Sequence, residues 1–170
     1  QAHSFAEKVL IVDWDVHHGN GTQDAFYTDP SVFFLSLHQS PHYPGTGAAD
    51  ERGAGEGIGY TMNVPLPAGT SRSDYLERFE GAWDEVMDTF TPDFVLMSAG
   101  FDVMAGDPLG DQLLEPEDLH RITRRVADTA QDVCDGKVVA LLEGGYNPRR
   151  LGEGAVAVIR ALAGLEAETD

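Results

Sequence analysis

The fold class this chain predicts is a three-layer α/β/α sandwich with a mainly parallel sheet. Three observations point to it. Five runs of strand length, rich in β-branched and aromatic residues, occupy positions 9–12, 32–37, 60–64, 94–98 and 138–142. The first and last are apolar on both faces, as in a parallel sheet covered by helices. After residue 60, strand runs alternate with segments whose apolar residues recur at helical spacing.

Taken in order, the run 9–12 leads directly into Asp13-Trp14-Asp15-Val16-His17-His18. Side chains alternate along a strand, so Asp13, Asp15 and His17 share one face if the chain stays extended. Two carboxylates and an imidazole so close together repel unless a cation joins them. The run 32–37 ends in Ser36-Leu37-His38. Residues 39–59 are rich in glycine, proline and charge and are expected to form a flexible loop. Its glycine run 53–59 superficially resembles a nucleotide-binding motif, but no strand leads into it and no helix follows.

Beyond the run 60–64, Tyr75, Leu76, Phe79, Trp83, Val86 and Phe90 mark a first helix, with Ser73 as its expected N-cap. The run 94–98 continues into Ala99-Gly100-Phe101-Asp102. Pro116 suits the opening turn of a second helix with a stripe of Leu119, Ile122, Val126 and Val133. The run 138–142 continues into Glu143-Gly144-Gly145-Tyr146. Asn147-Pro148 then opens a third helix carrying Leu151, Ala155, Ile159 and Leu162.

Composition narrows the class. The 170 residues suffice for one domain with a substantial core. A net charge of −18 argues against binding DNA or RNA. It suits a cationic substrate such as a lysine tail or a polyamine, but a heavily hydrated acidic surface is the better explanation, and the charge alone does not choose a substrate. With no run of about 18 apolar residues, no membrane span is expected. The single Cys134, expected to pack on a helix face, fits a reducing compartment and hence the cytoplasm. The chain opens at Gln1 with no signal peptide.

In open α/β sheets, ligands bind beyond the carboxyl ends of the strands. Four of the five runs deliver polar or glycine-rich ends to that edge. Asp15, His17 and Asp102 are the candidate ligands of a catalytic zinc, which keeps one coordination position open. Taken alone, Asp102 reads more readily as a turn residue before Gly106-Asp107-Pro108; the combination with Asp15 and His17 favours the ligand. Asp13 either supports the ligands, binds a separate hard cation with oxygens near Ser36, or is satisfied by backbone N–H groups. Tyr146 follows two glycines that allow a sharp turn, and its hydroxyl is a candidate oxyanion donor; the alternative is a core tyrosine. His18, His38 and His42 read as structural or loop residues, and His3 and His120 lie outside the cluster.

Residues 12–22, Val-Asp-Trp-Asp-Val-His-His-Gly-Asn-Gly-Thr, with Ser-Leu-His (36–38) and Tyr-Pro-Gly-Thr-Gly (43–47), resemble zinc-dependent histone deacetylases. So do Ala-Gly-Phe-Asp (99–102), Gly-Asp-Pro-Leu (106–109) and Leu-Glu-Gly-Gly-Tyr-Asn (142–147), the last closest to class II and its bacterial relatives, including acetylpolyamine amidohydrolases. The resemblance implies an arginase-deacetylase α/β/α fold and hydrolysis of an acetyl-lysine peptide or an acetylated polyamine. It implies Asp15, His17 and Asp102 as Zn²⁺ ligands, and Tyr146 as the residue bonding the amide oxygen. It places Tyr43 and Leu109 along the acyl-lysine channel, with Gly144 and Gly145 on its far wall. It implies a K⁺ site at Asp13, Ser36 and Leu37 that shares Asp15 and His17. A second K⁺ site falls at Phe26, Asp29, Val32 and Tyr60, where Asp29 departs from the expected residue.

The family's His-His pair, its general base and acid, lies upstream of the Asp-x-Asp-x-His strand, where this chain has His3 alone. The resemblance thus implies the C-terminal part of a longer catalytic domain, with the early strands and the pair outside it. Without the pair, water activation loses about 10²–10⁴-fold. Such a piece is expected to expose apolar surface around the run 9–12 and to be marginally stable. Two rivals stand beside this reading: an arginase-like binuclear hydrolase, and a module that binds acyl-lysine without turnover.

Overall fold

The computed structural model describes residues 6–167. In chain order the elements are β1 (Val9–Asp13), α1 (Asn20–Phe26), β2 (Val32–Gln39), a 3-10 turn (Gly55–Gly57), β3 (Thr61–Leu66), α2 (Arg72–Thr89), β4 (Phe94–Ala99), α3 (Pro116–Cys134), β5 (Val138–Leu142) and α4 (Pro148–Leu162). The strands form one parallel sheet in the order β3-β2-β1-β4-β5. From β1 the chain builds outward through β2 and β3, then returns to place β4 on β1's other side. The switch point of the sheet therefore lies between β1 and β4, where the carboxyl ends of neighbouring strands diverge and leave a crevice.

One face carries the main core: Leu10, Val12, Phe33, Leu35 and Met97 pack against Phe79, Trp83 and Val86 of α2 and Leu119, Ile122 and Val126 of α3. On the other face Ile11, Val32 and Phe34 form a small cluster with Val9, Leu96 and Phe26 of α1.

Several expectations are corrected. The seven-residue α1 carries no apolar stripe, and its one buried residue is Gln23. The N-cap of α2 is Ser71, whose hydroxyl accepts the Asp74 N–H at 3.1 Å, rather than Ser73. In α3, Val133 is exposed and Ala130 and Cys134 take the buried face. In α4, Ile159 and Leu162 face outward while Gly154, Ala157, Val158 and Ala161 are buried. Small residues win that face because a side chain at Gly154 would run into Phe101 and Met104. The strand at 9–12 does not lack neighbours, since β1 is the middle strand and Leu10 and Val12 are fully buried. The uncovered apolar surface lies instead on β5, where Val139, Leu141 and Leu142 are exposed.

The loop 39–59 is pinned rather than free. His38 donates through Nε2 to the Gly47 carbonyl at 3.0 Å, and His18 Nδ1 meets the Thr46 hydroxyl at 2.8 Å. Gln23 Oε1 accepts from both His18 Nε2 and the Asn63 amide, while its own amide donates to Glu51 at 2.7 Å. This buried polar network holds α1, β2, β3 and the loop together. Burial and then the neighbouring His18 push the His38 imidazole down to about 4, so it is neutral at pH 7.

Candidate metal centre

Beyond β1 the backbone does not stay extended. The Asp13 carboxylate accepts the Asp15 N–H at 3.0 Å, and Asp15 Oδ1 accepts the His17 N–H at 2.9 Å. Such side-chain-to-backbone turns at i+2 suit aspartate. They separate Asp13 from the pair beyond it, so the three do not share one strand face. Asp102, three residues past the end of β4 at Ala99, closes the group from across the switch point. Its Oδ1 accepts the Val16 N–H at 2.9 Å, 86 residues away in sequence.

The side chains of Asp15, His17 and Asp102 thereby meet. His17 Nδ1 lies 3.0 Å from Asp15 Oδ1 and 3.2 Å from Asp102 Oδ2. These separations are close to those between neighbouring ligands of a tetrahedral ion with bonds of about 2.0–2.2 Å. Among the described residues this is the one group of three metal-capable side chains whose ligand atoms lie within 4.8 Å of one another. Asp102 is fully buried, and among the described residues its Oδ2 accepts no hydrogen bond. Burial, and then the Asp15 carboxylate, push the Asp102 acid up to about 7. A buried, under-bonded carboxylate beside a second carboxylate and an imidazole is a donor set that a divalent cation satisfies. The residues fit a zinc ion on these grounds.

Glycine shapes the rest of the cradle. A side chain on Gly144 would collide with the carboxylates of both Asp15 and Asp102, and one on Gly100 would meet Asp15. The Gly144 N–H instead donates to Asp15 Oδ2 at 2.9 Å, tying the segment after β5 to the cluster. Gly144 thus lies beneath the carboxylates. Gly145 adopts φ +135, open to glycine, and brings Tyr146 round beside the cluster. Tyr146 is half exposed, so it is not a core tyrosine. Burial, then Asp102 and Asp15, raise its phenol above the ordinary value.

Tyr43 and Leu109 stand exposed at the rim. The Tyr43 ring lies edge-on to His17 at 6.1 Å. His42, read from the sequence as a structural or loop residue, stands beside it. The His42 ring stacks on His17 at 5.0 Å, and its Nε2–H donates to the Leu109 carbonyl at 3.0 Å. Its place next to Tyr43 in the Tyr-Pro-Gly-Thr-Gly run was the available signal. Tyr75, counted as core, is fully buried, with no hydrogen-bond partner for its hydroxyl among the described residues; burial, then Asp13, Asp102 and Asp15, raise its phenol.

Asp13 and Ser36 are register partners on β1 and β2. The Ser36 hydroxyl donates to the neutral His38 Nδ1 at 3.0 Å, leaving its own lone pairs available, and Leu37 is fully buried next to it. Burial, then Glu143 and Asp15, raise the Asp13 acid well above the ordinary range. The carbonyls of Phe26, Asp29 and Tyr60 each accept a backbone N–H, from Asp29, Val32 and Phe34. The Asp29 carboxylate is engaged by the backbone and hydroxyl of Ser31. His120, remote from the cluster, bonds the Leu165 carbonyl, and His3 lies outside the described residues. Among the described residues no helix is long and apolar enough to cross a membrane.

The sequence and the fold are similar to those of known proteins. The family model for the histone deacetylase domain matches residues 1–162. Histone deacetylase 15 of Arabidopsis thaliana is 47% identical over 169 residues, covering 97% of this chain and 30% of the relative. A probable deacetylase of Archaeoglobus fulgidus is 42% identical, covering 94% of this chain and 45% of the relative. The crystal structure of an acetylpolyamine aminohydrolase from Burkholderia pseudomallei superposes with a TM-score of 0.85 at 34% identity, covering 94% of this chain and 46% of that one. The chain therefore spans less than half the length of each of these relatives. Its parallel sheet and helices are those of the arginase-deacetylase fold. On the strength of the family match over nearly its whole length, the chain belongs to the histone deacetylase domain family.

Proposed function

We propose that this chain supplies the metal-holding and oxyanion-binding part of a zinc-dependent deacetylase, which hydrolyses an acetylated amine and releases acetate. The observation that carries the reading is the convergence of Asp15, His17 and Asp102 beside Tyr146 at the sheet's switch point. Asp15, His17 and Asp102 would hold the zinc. When bound there, the metal supplies Lewis acidity to the amide carbonyl and to the attacking water. Tyr146, its phenol raised and so protonated at neutral pH, donates to the amide oxygen as negative charge develops on it. Tyr43 and Leu109 flank the acyl-lysine channel, and Gly144 and Gly145 let the backbone pass under its inner end.

Acetyl-lysine in protein and acetylated polyamine are the two substrate classes, and the charge of −18 suits the free lysines of a lysine-rich tail or the unacetylated amines of a polyamine. The His17 ring nitrogen faces the carboxylates, and both His18 nitrogens bond Thr46 and Gln23. We therefore assign proton transfer to a His pair in a part of the catalytic domain outside this chain. Potassium at Asp13, Ser36 and Leu37, shared with Asp15 and His17, would neutralise the buried Asp13 charge. A second potassium at Phe26, Asp29, Val32 and Tyr60 rests on the resemblance alone. The free Cys134 suits a cytoplasmic setting.

The test is zinc content and hydrolysis of an acetyl-lysine peptide and an acetylpolyamine by the full-length protein, beside Asp102→Ala. One zinc per chain and turnover, both lost in the variant, is the expected result. Turnover that survives Asp102→Ala refutes the reading, and turnover unchanged in Tyr146→Phe removes Tyr146 from it.

A further inference from the structure

Asp107 lies in the segment between β4 and α3 and is buried. Its carboxylate is divided between two stretches of chain. Oδ1 accepts the Leu109 N–H at 2.9 Å, the local bond of an ordinary aspartate turn. Oδ2 does something such a turn does not need. It accepts the N–H groups of Tyr146 at 2.7 Å and of Asn147 at 3.2 Å, 39 and 40 residues further on. Bonds to an ionised acceptor are about twice as strong as neutral ones. A second stitch runs beside them, from the Asn147 side-chain amide to the Gly106 carbonyl at 3.0 Å.

Leu109 is held from its other side as well. Its carbonyl accepts from His42, whose ring stacks on His17. The backbone polar groups of this rim residue are thus bonded to Asp107 and to the loop that carries Tyr43. A continuous set of contacts runs from Tyr146 through Asp107, Leu109 and His42 to the metal cluster.

Resting on the deacetylase reading above, we infer that Asp107 is a positioning residue: one carboxylate sets both the oxyanion donor Tyr146 and the channel wall at Leu109. The Tyr146 side chain is half exposed, and its hydroxyl makes no hydrogen bond among the described residues. The backbone tie at its own N–H is therefore what fixes its place relative to Asp15 and Asp102. Misplacing a catalytic group by about 1 Å costs about 10²-fold in rate.

Asp107→Asn keeps the volume and one acceptor oxygen for Leu109, but puts an amide NH₂ where Tyr146 and Asn147 need an acceptor. In the zinc-loaded full-length protein, kcat on an acetyl-lysine peptide should fall about 10–100-fold with a much smaller change in KM. Zinc per chain should stay at the wild-type level. The double variant with Tyr146→Phe should fall no further than Tyr146→Phe alone. Hydrogen exchange should show the amides of 144–148 losing protection in Asp107→Asn. In Asp107→Ala, 106–110 should lose protection as well.

Additive losses in the double variant overturn the inference. So does an unchanged kcat, or lost protection confined to 106–110. If the wild type hydrolyses neither acetyl-lysine peptide nor acetylpolyamine, the deacetylase reading falls by itself. The exchange comparison then decides whether Asp107 joins the two segments.

Discussion

Replacing Asp102 by asparagine should stabilise the metal-free protein, and by an amount that grows with pH. The folded-state acid titrates near 7, raised by burial and by Asp15, whereas an unfolded aspartate titrates near about 3.9. A carboxylic acid with a raised folded pKa contributes fully below its unfolded value, and that contribution is lost as pH rises through the folded one. With each unit worth about 1.36 kcal/mol, the ionisation penalty is about 1–2 kcal/mol at pH 5 and about 4 kcal/mol at pH 7.5. Asparagine carries no such charge and keeps an oxygen for the Val16 N–H. The stability difference between variant and wild type should therefore widen by about 2–3 kcal/mol from pH 5 to pH 7.5. His38, held down to about 4, destabilises both proteins alike on acidification and cancels from the difference. Urea denaturation of the full-length proteins in chelator, at pH 5 and pH 7.5, measures it. Added zinc should reverse the order, because the metal needs the ionised ligand and stabilises only the wild type. A difference that stays flat with pH refutes the burial argument for Asp102.

Gly144→Ala should abolish zinc binding, since its new methyl would press on the carboxylates of Asp15 and Asp102, and should cost about 1–3 kcal/mol; zinc titration and thermal melting report both. Ser71→Ala should cost about 1 kcal/mol by losing the α2 cap, and Ser73→Ala should cost clearly less; equal losses would move the cap. Gly154→Leu should lower the melting temperature by overpacking α4 against Phe101 and Met104, whereas Ile159→Ser on its exposed face should change it little.

The sequence by itself determined the five strands, the three long helices and which polar residues stand beyond the strand ends. Buried parallel strands are continuous apolar runs, and Asp15-Val16-His17, Asp102 and Tyr146 each follow one directly. Helix α1 escaped because its buried contact is the amide of Gln23 in a polar network, which leaves no apolar period to read. The buried face of α4 was misjudged because its closest packing uses Gly154, Ala157 and Ala161 while the larger Ile159 points outward. The open side of β5 was illegible too, since an apolar strand carries no mark of whether a neighbour covers it. Only the tertiary structure decided that β4 pairs with β1, and that pairing brings Asp102 to Val16 and Asp15 across the switch point. It alone decided that Asp107 reaches Tyr146 and that His42 reaches His17. Local periodicity reports which side of an element meets the core, whereas strand order and the partner of each carboxylate are long-range choices made when the whole sheet packs.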